Sequence, residues 1–547
     1  MADTFDYVIV GAGSAGCIIA NRLTADGKHT VCVLEAGPPD RNPYIHIPAG
    51  FIKNLTNPNI NWMYRTESIE SIGGRKIPVP RGKTLGGSSS INGMIYNRGQ
   101  RMDYDTWAQQ GNRGWGYADV LPYFKRTEGR MGEADDTFRG RDGGMLVETL
   151  GYTHPLADEF IRGAQELGIP RNPDYNGERQ EGLNYVQRNV KGRRRVSTAR
   201  AYLHPAKARS NLTVITSAHA TKLLLEGKKA VGIQYSTGGK GGALQEVRAG
   251  REVILCGGTI NSPQLLQLSG IGPAGLLQDL GIEVRHELAG VGENLRDHFA
   301  PRQTTRAKNI ETLNERAHGV RRAWEVAKYV AGAKSIVNLN PSMVYGFWHS
   351  DPATKSNDLQ FIFTPASYDE GKHGVLATWP GFTIACWQHR PESSGYVRAT
   401  SSDPFEKPAI NPNYLTHELD KRIIVEAMKL ARKLATTSAM MPYNAGEELP
   451  GTQFQSDDEL LEAAKQTGST TYHPNGTCKM GPGSDAGAVV SDELKVHGLD
   501  GLRVADASIM PRMLSANLNA GTMMIAEKAS DLILNRVPLD PILVPDL

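Results

Sequence analysis

The pattern of apolar and polar residues at the start of the chain predicts a strand, a tight turn, a helix and a second strand. Apolar residues occupy positions 7–10, glycine-rich residues occupy 11–16, and a second apolar run occupies 31–34. Short apolar runs bounded by glycine are typical of buried strands in a parallel sheet. Glu35 directly follows the second run. This order predicts a nucleotide-binding unit of the Rossmann type.

The glycine turn predicts contact with the phosphates of a dinucleotide. Gly11 suits the tight turn, Gly13 lets the backbone approach a pyrophosphate, and Gly16 lets the helix pack closely on the strand. The phosphates would then lie at the positive end of the helix dipole. Glu35 follows at close to the expected spacing of about 20 residues and can accept hydrogen bonds from ribose hydroxyls. The motif alone does not distinguish NAD from FAD.

The same kind of pattern predicts further elements. Because ligands of doubly wound sheets bind at the carboxyl ends of the strands, Asp506 and Asn517 are expected near the nucleotide held by Gly11. The pattern changes after residue 306, which favours a second domain over residues 306–460. The predicted elements are strands at 211–215 and 253–255, a helix opening at 257–266, a helix at 320–331, strands at 360–363 and 382–385, a strand at 501–508 with an acid at its carboxyl end, and a closing helix through residue 533.

A stretch dense in glycine and serine covers residues 80–93. Such a stretch is either a flexible linker or backbone held against a bound group. Leu85 and Ile91 are apolar residues that a linker would lack. We therefore expect this segment to lie against a ligand.

Length and composition exclude several classes of protein. The 547 residues exceed one compact core and predict two domains. With 61 basic and 58 acidic residues, the net charge of +3 gives no global signal for nucleic-acid binding. The densest basic cluster, residues 191–195, is expected to be a solvated loop or an internal docking patch. We expect no nucleic-acid partner.

The cysteines favour free thiols in a reducing compartment. The five are dispersed, without the paired spacing of a disulfide framework or a zinc site, so no metal is expected. The N-terminus lacks the basic and apolar regions of a signal peptide, and no run reaches the roughly 18 to 20 apolar residues of a membrane span. We expect a cytoplasmic protein with no transmembrane segment, and peripheral contact with a membrane stays open.

Four ordered segments together resemble the glucose-methanol-choline (GMC) oxidoreductases, flavoproteins that oxidise alcohols. They are residues 11–35, 86–93, 258–273 and 472–517, so the resemblance covers nearly the whole chain. It implies an α/β fold in which a Rossmann-like FAD-binding domain is interleaved with an α+β substrate-binding domain built on an antiparallel sheet. The implied FAD-binding segments are 1–150, 196–305 and 461–547, the last with the catalytic residues, and the implied substrate-domain segments are 151–195 and 306–460.

The resemblance also implies FAD rather than NAD. Relatives that tether FAD through a histidine carry it where this chain has Ile91, so the FAD is expected to be non-covalent. Glu35 matches the acid that binds the adenosine ribose, and Ala220 matches a position whose backbone meets the adenine. The other implied cofactor contacts are Gly11, Gly13, Ser14, Ala15, Gly16, Ala36, Gly86, Gly87, Ser88, Asn92, Gly93, Asp506, Ala507, Leu518 and Asn519.

Alcohol oxidation by a flavin removes a proton from the hydroxyl and a hydride from the carbon. The protein needs a base beside the hydroxyl and a second polar group that fixes its direction. By the resemblance, His473 is the base, Asn517 orients the hydroxyl, and Tyr472 either lines the substrate side or simply packs. We expect His298 and His389 to be structural.

These features predict a FAD-dependent alcohol oxidase or dehydrogenase that converts a primary aliphatic or aromatic alcohol to an aldehyde. Two other uses of the scaffold stay open, a hydroxynitrile lyase and a fatty acid photodecarboxylase, as does a non-catalytic flavoprotein. The sequence does not distinguish oxygen from a quinone as the electron acceptor. It also leaves the particular alcohol and the oligomeric state open.

Overall fold

The first large sheet carries the predicted nucleotide-binding unit. In the computed structural model, which describes residues 3–369 and 374–544, the first two strands of the chain pair in parallel. The long strand Leu244–Leu255 pairs in parallel with the first strand, and on its other side it has an antiparallel hairpin beside its first half and a parallel strand beside its second half. The seven strands are Asp3–Val10, Val31–Glu35, Leu212–Thr216, His219–Glu226, Lys229–Ser236, Leu244–Leu255 and Leu502–Val504.

Two helices from opposite ends of the chain pack against each other, and the first of them packs on this sheet. Ser14–Leu23 follows the first glycine turn and contacts Leu518–Ile533, the closing helix. A Cβ on Gly16 would lie 1.9 Å from the carbonyl oxygen of Gly11. Only glycine therefore allows the helix to start this close to the turn.

The second large sheet is antiparallel throughout. Glu418–Ala435 packs on one face. Residues alternate between the faces: Phe363 stacks on Phe160 in the core, with ring centroids 4.2 Å apart, while Ile362 lines a cavity on the other side. The six strands are Gly182–Tyr185, Arg302–Ala307, Val344–Trp348, Leu359–Thr364, Gly381–Gln388 and Asn444–Leu449.

Shorter elements connect and cover the two sheets. The remaining helices are Pro43–His46, Phe51–Asn54, Arg101–Gln109, Tyr117–Thr127, Pro155–Glu166, His204–Ala206, Gly258–Leu268, Ala274–Asp279, Leu313–Arg316, Gly319–Ala331 and Asp457–Thr467. The 3-10 turns are Pro48–Gly50, Glu70–Ile72, Gly87–Ser90, Ile336–Asn338, Met441–Tyr443 and Ala507–Ile509, and Ala199–Leu203 is a π-turn. The remaining strands are Tyr64–Arg65, Pro78–Val79, Glu128–Arg130, Met145–Thr149, Gln187–Arg188, Val190–Lys191, Arg194–Arg195, Ile271–Gly272, His286–Glu287, Phe299–Ala300, Tyr396–Arg398, Ala409–Asn411 and Ser469–Thr470.

The predicted fold class is confirmed, and the predicted elements occur with two notable changes of length. The strand predicted at 253–255 begins at Leu244, because its polar first half pairs with the hairpin. The strand predicted at 501–508 ends at Val504, because the Asp506 carboxylate accepts the Ser508 N–H (2.8 Å) and opens a 3-10 turn.

The five-segment domain division stays a prediction. Gly182–Tyr185, from the predicted segment 151–195, lies in the second sheet, whereas Arg302–Ala307 crosses the predicted boundary at 305. The five cysteines are buried and free. Within residues 3–369 and 374–544, no helix is both long and apolar enough to cross a bilayer.

Candidate active site

A cavity of about 390 Å³ lies between the two sheets and gathers most of the predicted site residues. Gly16 and Gly86 are the predicted contacts outside its lining. Gly16 packs beneath the Gly11 carbonyl, and the Gly86 N–H donates to the Ala12 carbonyl (2.7 Å), so both shape the turn from behind. The predicted residues that line the cavity are Gly11, Gly13, Ser14, Ala15, Glu35, Ala36, Gly87, Ser88, Asn92, Gly93, Ala220, Tyr472, His473, Asp506, Ala507, Asn517, Leu518 and Asn519.

Glu35 lies at the carboxyl end of its strand, beside the glycine turn. One carboxylate oxygen accepts the Ala12 N–H (2.9 Å) and the other accepts the Gly37 N–H (2.8 Å). Burial outweighs these two bonds and raises the pKa of Glu35 to about 7. Each carboxylate oxygen retains a second lone pair. Glu35 can therefore hold the turn and still accept a ribose hydroxyl.

Two helix N-termini without a side-chain cap meet the cavity. Gly13 precedes Ser14–Leu23, and Asn517 precedes Leu518–Ile533. Their unpaired N–H groups and dipoles favour an anionic group. Gly87 crosses the turn so closely that its Cβ would lie 2.7 Å from the Gly13 Cα. This bare, positively polarised backbone fits the pyrophosphate of FAD.

Hydrogen bonds tie the end of the last strand to the second glycine turn, at Gly258, and the closing helix to the start of the first helix, at Ser14. Asp506 accepts the Gly258 N–H (2.9 Å) and the Ser262 hydroxyl (2.6 Å), and burial raises the pKa of its carboxyl group. The Ser14 hydroxyl donates to Asn519 Oδ1 (2.7 Å). Two chain segments about 500 residues apart in sequence thus form one wall of the cavity.

The glycine- and serine-rich loop is supported by Arg195. Its guanidinium donates to Asn92 Oδ1 (2.7 Å) and to the Ser89 carbonyl (3.1 Å). Burial lowers the pKa of Arg195 to about 9. Arg193 and Arg194, by contrast, are exposed. The basic cluster at 191–195 is thus split between solvent and the interior, which combines the two predicted alternatives.

His473 lies in the cavity within hydrogen-bond distance of three side chains. Its Nε2 is 2.9 Å from Asn517 Nδ2. Its Nδ1 is 2.9 Å from His298 Nδ1 and 2.8 Å from Thr471 Oγ1. The backbone N–H of His473 donates to the buried Asp297 carboxylate (2.8 Å), which fixes the main chain. His473 is 7% exposed as a residue, so neighbouring groups hold its orientation on nearly every side.

A backbone carbonyl fixes the tautomer of both histidines. His298 Nε2 is 2.7 Å from the His389 carbonyl oxygen, which can only accept, so Nε2 carries the proton. Burial lowers the pKa of His298 to about 4, so the ring is neutral and its Nδ1 is an acceptor. His473 must therefore carry its own proton on Nδ1 and donate it. This leaves a lone pair on His473 Nε2.

The amide of Asn517 completes the chain of hydrogen bonds. Facing a lone pair, it must present Nδ2–H to His473, and its Oδ1 accepts the Tyr345 hydroxyl (2.7 Å). Burial, the neighbouring His298 and the Arg81 guanidinium together hold the pKa of His473 well below its usual range. The ring is neutral at neutral pH. The site thus contains a neutral imidazole whose accepting nitrogen points at an amide donor.

Sequence reasoning missed three residues of this network. His298 was expected to be structural, yet its ring contacts His473; Thr471 and Tyr345 were not singled out. His298 and Tyr345 carry no spacing signal because they are distant in sequence from the residues they contact, and Thr471, two residues before His473, has no distinctive motif of its own. The expected structural role of His389 is consistent with its position, since its backbone carbonyl anchors His298.

Comparisons with known proteins agree with this geometry. Two family models described as GMC oxidoreductase match residues 5–300 and 391–526. An oxygen-dependent choline dehydrogenase of Staphylococcus xylosus is 41% identical, over 99% of this chain and 97% of that protein. A protein of the same name from Photobacterium profundum is 39% identical, over 99% and 95%.

Solved structures share the fold over nearly the full length. Pyridoxine 4-oxidase from Mesorbium loti has a TM-score of 0.86 and 29% identity, and covers 96% of this chain and 98% of its own. Formate oxidase from Aspergillus oryzae RIB40, in a study of FAD modification, has a TM-score of 0.90 and 25% identity, over 97% and 98%. With the family models matching well over half of the residues, the chain belongs to the GMC oxidoreductases, FAD-binding enzymes that act on CH–OH groups.

Proposed function

We propose that this protein oxidises a primary alcohol to an aldehyde, with His473 as the base and Asn517 as the group that orients the hydroxyl. The observation that carries the proposal is the lone pair on His473 Nε2, which faces Asn517 Nδ2 in the cavity. Bound FAD supplies the hydride acceptor. His473 Nε2 takes the hydroxyl proton, and one N–H of Asn517 donates to the same oxygen. The alcohol loses one proton and one hydride, which balances its conversion to the aldehyde.

The protonation state of His473 supports this role. A base must be neutral before it accepts a proton, and the lowered pKa of His473 keeps it neutral. When the proton arrives on Nε2, the Nδ1–H already has acceptors in His298 and Thr471, so the cation forms without any ring rotation. Asn517 cannot compete as a base, because an amide does not titrate in this range.

The cavity walls favour an uncharged aliphatic or aromatic alcohol. The second sheet contributes Ile362, Ala385, Trp387 and Arg302 to the lining of the cavity. Among the lining residues within the described ranges, the carboxylates are Glu35 and Asp506, both already bonded to backbone N–H groups near the glycine turns. A cationic alcohol would meet the positive charge of Arg302 without a facing acid. We therefore expect benzyl-type alcohols to reduce the flavin faster than choline.

The FAD is proposed to be non-covalent. Ile91, at the position where some relatives carry the tethering histidine, lies in a small apolar cluster with Ile45 and Ile60 and has no nucleophilic atom. Denaturation with acid should release all yellow colour into the supernatant. Flavin that stays with the precipitated chain would contradict this part of the proposal.

The deciding experiment is anaerobic reduction of the holoenzyme by a panel of alcohols, monitored through the absorbance of the flavin. The His473→Ala variant should reduce about 10² to 10⁴ times more slowly, the usual contribution of a general base. His318→Ala, at an exposed histidine, is the matched control and should reduce at the wild-type rate. Equal rates for His473→Ala and wild type would remove His473 from its role. If no alcohol bleaches a flavin that dithionite reduces, cyanide release from mandelonitrile would instead favour the lyase.

A further inference from the structure

The helix Gly319–Ala331 exposes its apolar side chains to solvent, the reverse of the usual arrangement in a globular domain. Such helices normally bury an apolar stripe and expose charge. Here the one buried side chain within the helix is the acid Glu325, which ion-pairs with Lys328 and accepts the Ile336 N–H (3.0 Å). The Ser335 hydroxyl also donates to the Glu325 carbonyl (2.7 Å). The protein thus binds this helix through polar contacts.

The opposite side of the helix is a continuous apolar surface in solvent. Val320 is 86% exposed, Trp324 65% and Val330 72%. At 100° per residue the exposed apolar positions fill one unbroken arc, bordered by Lys328 and then Arg321 on one side and by Arg322 on the other. We call this arc the apolar helix face; it consists of Val320, Ala323, Trp324, Val326, Ala327, Val330 and Ala331.

Positive charge lies beside this surface and at the end of the helix. Arg193 donates to the Val330 carbonyl (2.9 Å) at the end of the helix, and Tyr329 shares an open groove with Arg194 and Lys207. Arg321 is partly compensated, since it pairs with Glu311. We call the exposed cations of this region the basic margin; it consists of Arg41, Arg193, Arg194, Lys207, Arg321, Arg322 and Lys334.

We propose that the apolar helix face and the basic margin dock this protein on an anionic lipid bilayer. A helix with valines and a tryptophan on one face and cations at the edges is the pattern of a segment that lies in the membrane interface. The apolar side chains enter the acyl boundary, and the cations meet lipid phosphates. Exposed apolar patches rimmed by polar residues mark interaction surfaces.

Charge favours a lipid surface over a second copy of this chain. In a two-fold dimer the same patch faces itself, so the basic margins of both copies would approach each other. An anionic bilayer instead neutralises all of these cations at once. The surface is also connected to the active site, because the turn Ile336–Asn338 follows the helix and leads to Pro341, which lines the cavity.

The test is co-sedimentation of the full-length holoenzyme with vesicles. Vesicles containing phosphatidylglycerol should bind the protein more tightly than vesicles of phosphatidylcholine alone, and added salt should weaken this binding. Trp324→Asp and Val330→Asp should each lower the partition coefficient about tenfold or more, because a charge replaces an apolar side chain that would enter the acyl boundary of the bilayer. Trp324→Phe should retain most of the binding.

The control is Leu244→Asp, which changes an exposed apolar residue outside the helix (57% exposed) and should bind as wild type does. Flavin content and melting temperature verify that every variant folds, as expected where the substituted side chains are in solvent. Absence of binding to either type of vesicle would overturn the proposal. The proposal would also be overturned if sedimentation analysis showed a dimer that Val330→Asp dissociates and if the vesicles bound no protein. The apolar helix face would then be an interface with a second copy of the chain.

Discussion

The acceptors of the His473 Nδ1–H provide a quantitative test of the proposed mechanism. His298 Nδ1 and Thr471 Oγ1 lie 2.9 Å and 2.8 Å from His473 Nδ1. His298 Nδ1 can only accept the proton that keeps the lone pair on Nε2, whereas the Thr471 hydroxyl can accept it but can also donate. We therefore consider His298→Phe, Thr471→Val and the double variant. Together with the wild type, these variants form a double-mutant cycle, which measures how strongly the tautomer of His473 depends on its two neighbours.

The expected magnitudes follow from the number of acceptors that remain. With one acceptor left, a single variant loses one hydrogen bond worth about 0.5–1.5 kcal/mol, which lowers the rate of flavin reduction by about 2- to 12-fold. With both removed, a buried N–H has no partner, and the proton is free to move to Nε2. The base is then blocked, so the double variant should lose about 10² to 10⁴ in rate. The fold-loss in rate of the double variant should therefore exceed the product of the fold-losses of the two single variants.

Stopped-flow reduction of the flavin by an alcohol under anaerobic conditions measures this rate separately from substrate binding. Thr364→Val is the matched control, because it also removes a threonine hydroxyl that bonds near the cavity, donating to the Pro341 carbonyl (2.9 Å). Flavin content and melting temperature identify variants that merely fold poorly. A double variant that reduces at the wild-type rate, or single effects that simply multiply, would refute the assignment of the tautomer.

Three further predictions follow from the structure. Gly16→Ala should yield protein without flavin, since its Cβ would lie 1.9 Å from the Gly11 carbonyl oxygen, whereas the helical Gly275→Ala meets no atom within 4 Å; the flavin-to-protein ratio of both variants checks this. Tyr345→Phe leaves Asn517 Oδ1 without its donor at a cost of about 1–3 kcal/mol, so flavin reduction should slow by about 5- to 150-fold, and an unchanged rate would contradict the orienting role. The free energy of unfolding should fall as the pH is lowered from 6.5 to about 4, because the unfolded chain binds protons there that three buried or half-buried histidines with pKa values of about 4 do not. These three outweigh Glu35, whose raised pKa of about 7 acts in the opposite direction, and denaturant titrations at several pH values test the slope. The histidines are His154, His219 and His298.

In the proposed mechanism, the polar network contains two reacting residues and two positioning residues. His473 and Asn517 face the cavity, while His298 and Tyr345 act on them through hydrogen bonds. The network begins at a backbone carbonyl, that of His389, whose acceptor character does not change with pH. A fixed acceptor at one end determines every proton position along the chain of hydrogen bonds. The polar groups are therefore oriented before substrate binds, and such preorganisation accounts for much of the rate enhancement in enclosed sites.

Much of the nucleotide end of the site could be predicted from the sequence. The strand, turn and helix around Gly11 are contiguous, and their geometry follows from residues that are neighbours in the chain. Local signals of this kind are strong because glycine is required wherever the backbone must turn tightly or approach a ligand. The resemblance to the GMC family then supplied His473 and Asn517 as a pair, although residue spacing alone does not bring them together.

The tertiary structure decided what the sequence could not. The contact between His473 and His298 joins residues 175 positions apart, and that between Tyr345 and Asn517 joins residues 172 positions apart. Which of these side chains meet depends on the packing of the two sheets, a sum of many weak contacts that leaves no periodic signal. The same holds for the helix Gly319–Ala331: the sequence predicted a helix there, but an amphipathic pattern does not reveal which face is turned to the protein. Here the side that carries the buried Glu325 carboxylate, rather than the apolar stripe, is turned to the protein.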